Sequence, residues 1–345
     1  MRLIIHAPNV HQGGGAALLV PLLSSIDGNC IAIIDRRLQL SDEVQERLEV
    51  IPVEPTVRSR IEAERRLAAL ARPEDTVLCF GNLPPLFRLS AKVFVFVQNR
   101  LLLESFSLSL FSRKARMRIL MERGWLRLRA SNVSLFIVQT PSMQRSLEQR
   151  FSTSGVLFPF VRDSQRDYPR RLPVPDGEAS TEFDLLYVAS GEPHKNHRNL
   201  IMAWQLLAED GLRPVLCLTI DHDAEKELMA WIDDMKTRHG LRINNVSSAS
   251  QTEIDALYGR AKALIYPSRC ESLGLPLIEA RNAGLPVLAS ELDFVRDVID
   301  PEQGFDPESP VSIARAVKRF MGAEEQPLPL KSAAEFIQYL LKHPR

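Results

Sequence analysis

Two glutamates, Glu271 and Glu279, stand eight positions apart in CESLGLPLIEARNAGLPV, residues 270–287. Proline is favoured at the first position of a helix, where its missing N–H has no intrahelical acceptor to lose. A helix is therefore expected to open near Pro276, with Glu271 on the loop before it and Glu279 in its first turn. Ionised carboxylates accept hydrogen bonds on two oxygens and suit sugar hydroxyls. The backbone amides of Ser272, Leu273, Gly274 and Leu275 would be unpaired donors suited to phosphate. Spacing alone equally allows two acids that merely complement the positive end of a helix, at about 0.3–1 kcal/mol each.

Lys195 is a second candidate, in VASGEPHKNHRNLIMAWQLL (188–207), flanked by His194 and His197 and preceded by Gly191. By itself it reads as a solvated lysine near a helix start. HQGGGAALLV (11–20) sets Gly13, Gly14 and Gly15 after an apolar run. Glycines there permit close backbone approach to a phosphate or an acceptor, or simply a flexible turn. The third glycine of a dinucleotide fingerprint is missing. Asp221 and Asp223 read better as helix capping, by Asp223, than as a metal pair. His6 and His11 line a cleft only if their loop folds inward. Cys30, Cys79, Cys217 and Cys270 lack metal-ligand or disulfide spacing and suggest a reducing compartment. No metal and no cofactor is expected.

SRKARMRILMERGWLRLR (112–129) carries seven basic residues against one acid, Glu122. On a helix Met117, Met121, Trp125 and Leu128 share one side, and Arg116, Arg123 and Arg127 another. Such a helix suits an anionic membrane surface, and a lipid-linked acceptor would follow. The alternative is a core-packed helix with solvated arginines, interrupted at Gly124.

These residues need a scaffold that brings them together. Short apolar runs at 2–7, 30–35, 76–80, 92–98 and 134–140, with 155–161 as a possible further one, have the length of parallel strands buried on both faces. After the polar, proline-bearing RDSQRDYPRRLPVPDGEASTE, strand and helix patterns alternate again up to SPVSIARAVKRFM (309–321). The expected fold is α/β, two Rossmann-like domains facing a cleft. The boundaries read as 1–165 for a first Rossmann-like domain, 166–182 for a linker, 183–325 for a second Rossmann-like domain and 326–345 for a helix crossing back over the junction.

The chain has no net charge, but residues 1–170 carry 24 basic against 16 acidic side chains and residues 171–345 carry 19 against 27. That asymmetry favours an anionic ligand or surface at the first half. No nucleic-acid module is visible. No apolar run reaches the ~18–20 residues of a membrane span, so a protein of the cytoplasm, free or peripheral at the inner face of the membrane, is expected.

YPSRCESLGLPLIEARNAGLPVLAS (266–290) resembles the signature of retaining GT-B glycosyltransferases of family 4, in which two glutamates are separated by seven residues. VASGEPHKNHRNLIMAWQLL and FDPESPVSIARAVKRFM (305–321) resemble two further motifs of that family, in the same order. The likeness covers 185–321, is weak over the first half, and looks most like bacterial surface-polysaccharide hexosyl- and mannosyltransferases. It implies a nucleoside diphosphate sugar as donor, bound by the domain 183–325 with Glu279 on its ribose, Glu271 by the transferred hexose and Lys195 on the diphosphate, and a glycan or lipid-linked hydroxyl as acceptor, bound by the domain 1–165. The family usually has an arginine after the glycine of the lysine motif, where this chain has Glu192; Arg198 or an N-terminal residue would have to replace it. That departure keeps open a silent nucleotide-sugar-binding protein. A nicotinamide oxidoreductase rests on fold analogy alone and lacks its glycine fingerprint.

Overall fold

The computed structural model describes residues 2–27, 29–103, 108–151, 155–161, 181–247 and 249–323. The expected linker falls outside the described residues except for its last two, and the expected crossover helix falls outside them entirely.

The first sheet contains β1 (Leu3–Ala7), β2 (Cys30–Asp35), β3 (Glu49–Val53), β4 (Thr76–Cys79), β5 (Lys92–Phe96), β6 (Leu135–Val138) and β7 (Gly155–Leu157). All are parallel, in the order β3-β2-β1-β4-β5-β6-β7. Its helices are α1 (Gly13–Ser24), α2 (Asp42–Arg47), α3 (Val57–Leu70), α4 (Arg113–Arg129) and α5 (Pro141–Phe151). Because side chains alternate across a strand, Ile5, Ala7, Ala32 and Ile34 pack with α1 on one face, and Ile4, Ile31, Ile33 and Val77 with α3 on the other.

The second sheet contains β8 (Phe183–Tyr187), β9 (Leu216–Leu218), β10 (Ile243–Asn245), β11 (Ala261–Tyr266), β12 (Val287–Ser290) and β13 (Gln303–Phe305). It too is wholly parallel, in the order β10-β9-β8-β11-β12-β13. It is covered by α6 (His197–Glu209), α7 (Lys226–His239), α8 (Gln251–Tyr258), α9 (Leu275–Asn282), α10 (Asp293–Arg296) and α11 (Pro310–Phe320). One apolar core runs through it, with Trp204, Tyr187 and Tyr258 among its largest buried side chains.

The expected α/β architecture of two parallel-sheet Rossmann-like domains is thus present, with two strands the sequence reading did not include. β3 pairs with β2 alone, so Pro52 withholds no hydrogen bond the sheet requires. β13 is three residues long, too short to show a period. The units meet along α5 and α10. The Ser142 amide in the first turn of α5 donates to the Asp297 carboxylate at 3.0 Å, and the Arg100 guanidinium lies 5.9 Å from the centre of the Phe294 ring.

Candidate functional site

The carboxyl ends of both sheets open on one cleft of about 1560 Å³, larger than the roughly 300–1000 Å³ of a site for one small ligand. Gly13, Gly14, Gly15, Gly191, His194, Lys195, Glu271, Ser272, Leu273, Gly274, Leu275 and Glu279 all line it. Parallel strands put every loop that follows them on the same edge, which is why residues 250 positions apart in sequence converge.

Three helix N-termini point into this cleft. α1 begins on the glycines themselves rather than after them, with Gly13 at φ 64° and no side-chain cap from Gln12. A Cβ on Gly14 would stand 3.9 Å from Leu275 Cδ1, so the two domains all but touch here. α9 starts behind Gly274 at φ 67°, with Pro276 in its first turn. α6 starts behind Asn196 at φ 65°, an uncommon conformation for a residue other than glycine. The Asn196 side-chain amide holds the turn by donating to Pro267 O at 3.0 Å and Pro307 O at 2.7 Å. None of the three helices has an acid in its first turn. Glu279 therefore lies deeper in α9 than expected, past the first turn where an acid complements the helix dipole.

Glu271 instead accepts a hydrogen bond from Lys195 Nζ at 2.6 Å. Burial pushes its carboxyl up, but the attraction of Lys195 and His194 outweighs burial and holds it below the ordinary carboxylate value. Lys195 is set from behind: the buried Tyr187 hydroxyl donates to Lys195 O at 2.7 Å and lies 3.0 Å from Ser268 Oγ. Glu279 is fixed by Tyr258, whose hydroxyl donates to Glu279 Oε2 at 2.8 Å. Burial and the neighbouring Glu279 charge raise the Tyr258 phenol well above its usual value, so it remains a donor.

The sequence reading missed Tyr187, Tyr258, Ser268 and the left-handed Asn196. Each acts through a contact with a residue 8 to 111 positions away, which spacing does not reveal. Gly191 lines the cleft, and a Cβ there would lie 2.5 Å from Glu225 Cγ, so only glycine fits without displacing that side chain. Glu192 hydrogen-bonds the Ser190 hydroxyl, and Arg198 stacks over Trp231 at 4.8 Å while reaching the cleft rim. His194 stacks on Phe111 of the first unit, 6.0 Å between ring centres; burial, then Lys195, lowers its pKa.

Four sequence candidates lie elsewhere. Arg116, Arg123, Trp125 and Arg127 sit on α4, which runs unbroken through Gly124, and none lines the cleft. Trp125 turns inward, not toward solvent: its indole N–H donates to Pro84 O at 3.0 Å and Arg60 covers its ring. Arg123 is half-buried and donates to Leu101 O at 2.8 Å, and Arg116 to Leu108 O and Ser109 O. His6 faces α3 rather than the cleft, where burial and Arg60 lower its pKa to about 3; His11 does line the cleft. Asp221, not Asp223, closes the turn before α7 by accepting from the Asp223 and Ala224 amides.

Residues 171–339 match the family model described as Glycosyl transferases group 1. Over 115 residues the chain is 33% identical to the O-antigen chain mannosyltransferase B of Escherichia coli, covering 33% of this chain and 30% of that protein. It is 29% identical over 150 residues to the serotype-specific mannosyltransferase WbdA of Escherichia coli, covering 41% of this chain and 18% of that one. The matches thus span about a third or less of these curated relatives. A crystal structure of Anabaena HepE in complex with UDP and glucose superposes with a TM-score of 0.66 at 14% identity, over 93% of this chain and 90% of that one. The shared property there is the fold, a two-domain arrangement found among GT-B glycosyltransferases.

Proposed function

We propose that the protein is a glycosyltransferase, moving a hexose, mannose first among the candidates, from a nucleoside diphosphate sugar to a hydroxyl of a glycan or lipid-linked acceptor. The observation that carries this reading is the Lys195–Glu271 pair, held at 2.6 Å where three uncapped helix N-termini converge. A cation and preorganised amides facing one point suit a leaving diphosphate, whose negative charge grows as the glycosidic bond breaks. Lys195 would bear that charge, Glu271 would take a hexose hydroxyl, and Glu279 would take the ribose hydroxyls. Retention by front-face attack, with the diphosphate itself as base, needs no protein nucleophile. In this scheme Lys195 and the amides stabilise the leaving group without a metal. The mannosyltransferase names of the relatives support the choice of hexose.

Incubation with radiolabelled GDP-mannose, UDP-glucose and ADP-glucose, with and without cell-envelope glycolipid, tests the proposal. Transfer or slow hydrolysis of one donor is expected, abolished by Lys195→Ala. Tight binding of a donor with neither outcome favours the silent binding protein, for which the carboxylates Glu192 and Glu225 beside the phosphate position are the specific support.

The outer side of α4 supports attachment to a membrane surface. Met117, Leu120, Met121 and Leu128 are exposed in a stripe at helical spacing, bordered by Arg113, Lys114, Arg127 and Arg129. Among the described residues no helix is long and apolar enough to cross a membrane. The contact would be peripheral, and would present the cleft to lipid-borne acceptors.

A further inference from the structure

At the middle of the first sheet the cleft wall is made of carboxamides. Asn82 follows β4, and Gln98 and Asn99 follow β5, the strand hydrogen-bonded to it. All three residues are half-buried and line the cleft. Arg100, next in the chain, is turned away toward Ser142 Oγ and the Phe294 ring.

Bonds to the backbone tie the three together and fix which end of each amide is left over. Asn82 Oδ1 accepts from the Gln98 amide at 2.5 Å and from the Asn99 amide at 2.8 Å. These two bonds hold Asn82 at φ 70°, a conformation few residues other than glycine adopt. Gln98 Nε2 donates to Phe80 O at 3.1 Å, and Asn99 Oδ1 accepts from the Leu101 amide at 3.0 Å. Each carboxamide has one donor end and one acceptor end, so Asn82 Nδ2, Gln98 Oε1 and Asn99 Nδ2 remain. None of these atoms has a partner among the described residues, and each keeps some surface open. The backbone-facing ends already satisfy the two loops, so the free ends are surplus to the fold. Gln98 Oε1 stands 3.9 Å from where a Cβ on Gly15 would be, beside the first turn of α1 and next to the point where Gly14 approaches Leu275 of the second unit.

The leftover set is two donors and one acceptor, uncharged, on side chains whose orientation is already set. Hydroxyl groups both give and accept a hydrogen bond and match such a set, whereas a phosphate only accepts and would face the Gln98 carbonyl with like polarity. We propose that Asn82, Gln98 and Asn99 form the acceptor subsite and bind the hydroxyls of a neutral sugar, the terminal residue of a glycan. This rests on the reading of the cleft as a transferase site, and it narrows the acceptor to one recognised through sugar hydroxyls, whatever carries that sugar.

The test is titration of the full chain with methyl α-mannoside and methyl α-glucoside, followed by saturation-transfer NMR, and with GDP and UDP, followed by calorimetry. Wild type is expected to bind at least one glycoside, and Gln98→Met and Asn99→Ser to bind it about fivefold or more weaker, with nucleotide affinity within about twofold of wild type. Gln98→Met gives up one bond to the backbone, whereas the serine of Asn99→Ser can still accept from the Leu101 amide, so the second variant reads the same loss if the first is unstable. Glycoside binding that is absent in wild type, or unchanged in both variants, overturns the proposal. A parallel loss of nucleotide binding also overturns it, because the amides then serve the donor. Displacement of the glycoside by decyl phosphate below its micelle concentration overturns it too, because an anion then occupies the subsite. These titrations do not depend on transfer, so a failed donor assay with variant-sensitive glycoside binding refutes only the enzymatic reading.

Discussion

Removing Lys195 tests whether the central ion pair is a coupled unit. Lys195 Nζ and Glu271 Oε1 are 2.6 Å apart, and the side chains are 17% and 12% exposed. Deleting one partner of a fully buried pair costs roughly 3–5 kcal/mol, because the other charge is left uncompensated. Water has some access here, so about 1–3 kcal/mol is expected for Lys195→Ala. At ~2–4 °C per kcal/mol for domains of this size, the melting midpoint falls by roughly 2–12 °C. Adding Glu271→Gln removes the orphaned charge and recovers at least half of that loss. Acidification gives an independent sign. Since the folded Glu271 pKa is depressed, its stabilisation is complete above the unfolded value near ~4.3 and disappears as pH falls through the lower folded value. The wild type should therefore lose midpoint more steeply than Glu271→Gln below about pH 4.5. Scanning calorimetry of the four proteins of the cycle measures both effects. Single changes that add within ~0.5 kcal/mol show that the pair is uncoupled and refute the reasoning.

Two further outcomes follow from the geometry. Tyr258→Phe deletes the 2.8 Å hydrogen bond to Glu279 while keeping the ring's packing; hydrogen bonds to charged groups contribute about 1.5–3 kcal/mol. Donor KM should rise about tenfold or more with kcat within about twofold, and an unchanged KM removes Tyr258 from any positioning role. On α4, Met117→Ser/Met121→Ser and Arg113→Gln/Lys114→Gln alter exposed residues only, so both should keep the wild-type midpoint and lose cosedimentation with phosphatidylglycerol vesicles. Equal sedimentation of the wild type with neutral phosphatidylcholine vesicles would dismiss the electrostatic part of that contact.

The central strands were legible from sequence because both of their faces are buried, which leaves uninterrupted apolar runs such as CIAIID and KALIY. The edge strand β3 was not, since its burial alternates and Glu49 and Pro52 break the apolar signal. Glu271, Glu279 and Lys195 were readable as chemistry-bearing residues, but not as neighbours. The 2.6 Å contact between Lys195 and Glu271 joins residues 76 positions apart and depends on β8 and β11 lying side by side. Trp125 misled for a related reason. Helical spacing grouped it with Met117 and Met121, whereas the hydrogen-bond acceptor for its indole, Pro84 O, lies on a different segment and turns it inward. Even a partly buried tryptophan follows its N–H to a partner.

Glu192 shows how the second unit's wall distributes charge. Resemblance leads to an arginine after Gly191, and here that place holds an exposed carboxylate tied to Ser190. Burial, then Glu192 and Asp221, push the Glu225 carboxyl up, whereas the Ser190 hydroxyl, Lys195 and His194 hold Glu192 below its ordinary value. Unit charges 4 Å apart at an effective dielectric of 20 interact by about 4 kcal/mol, and a diphosphate arriving here would meet repulsion of that order from any acid at contact distance. Arg198, the nearest substitute in sequence, is stacked on Trp231 rather than directed at Lys195. On the proposed function the attraction would come chiefly from Lys195 and from the first-turn amides of α1, α6 and α9, none of which is diluted by an acid of its own. Two of those helices belong to one unit and α1 to the other, with Leu275 Cδ1 3.9 Å from where a Cβ on Gly14 would stand. Neutralising a diphosphate in this cleft would then draw on both units, so donor binding would depend on α1 of one unit facing α6 and α9 of the other as it does here.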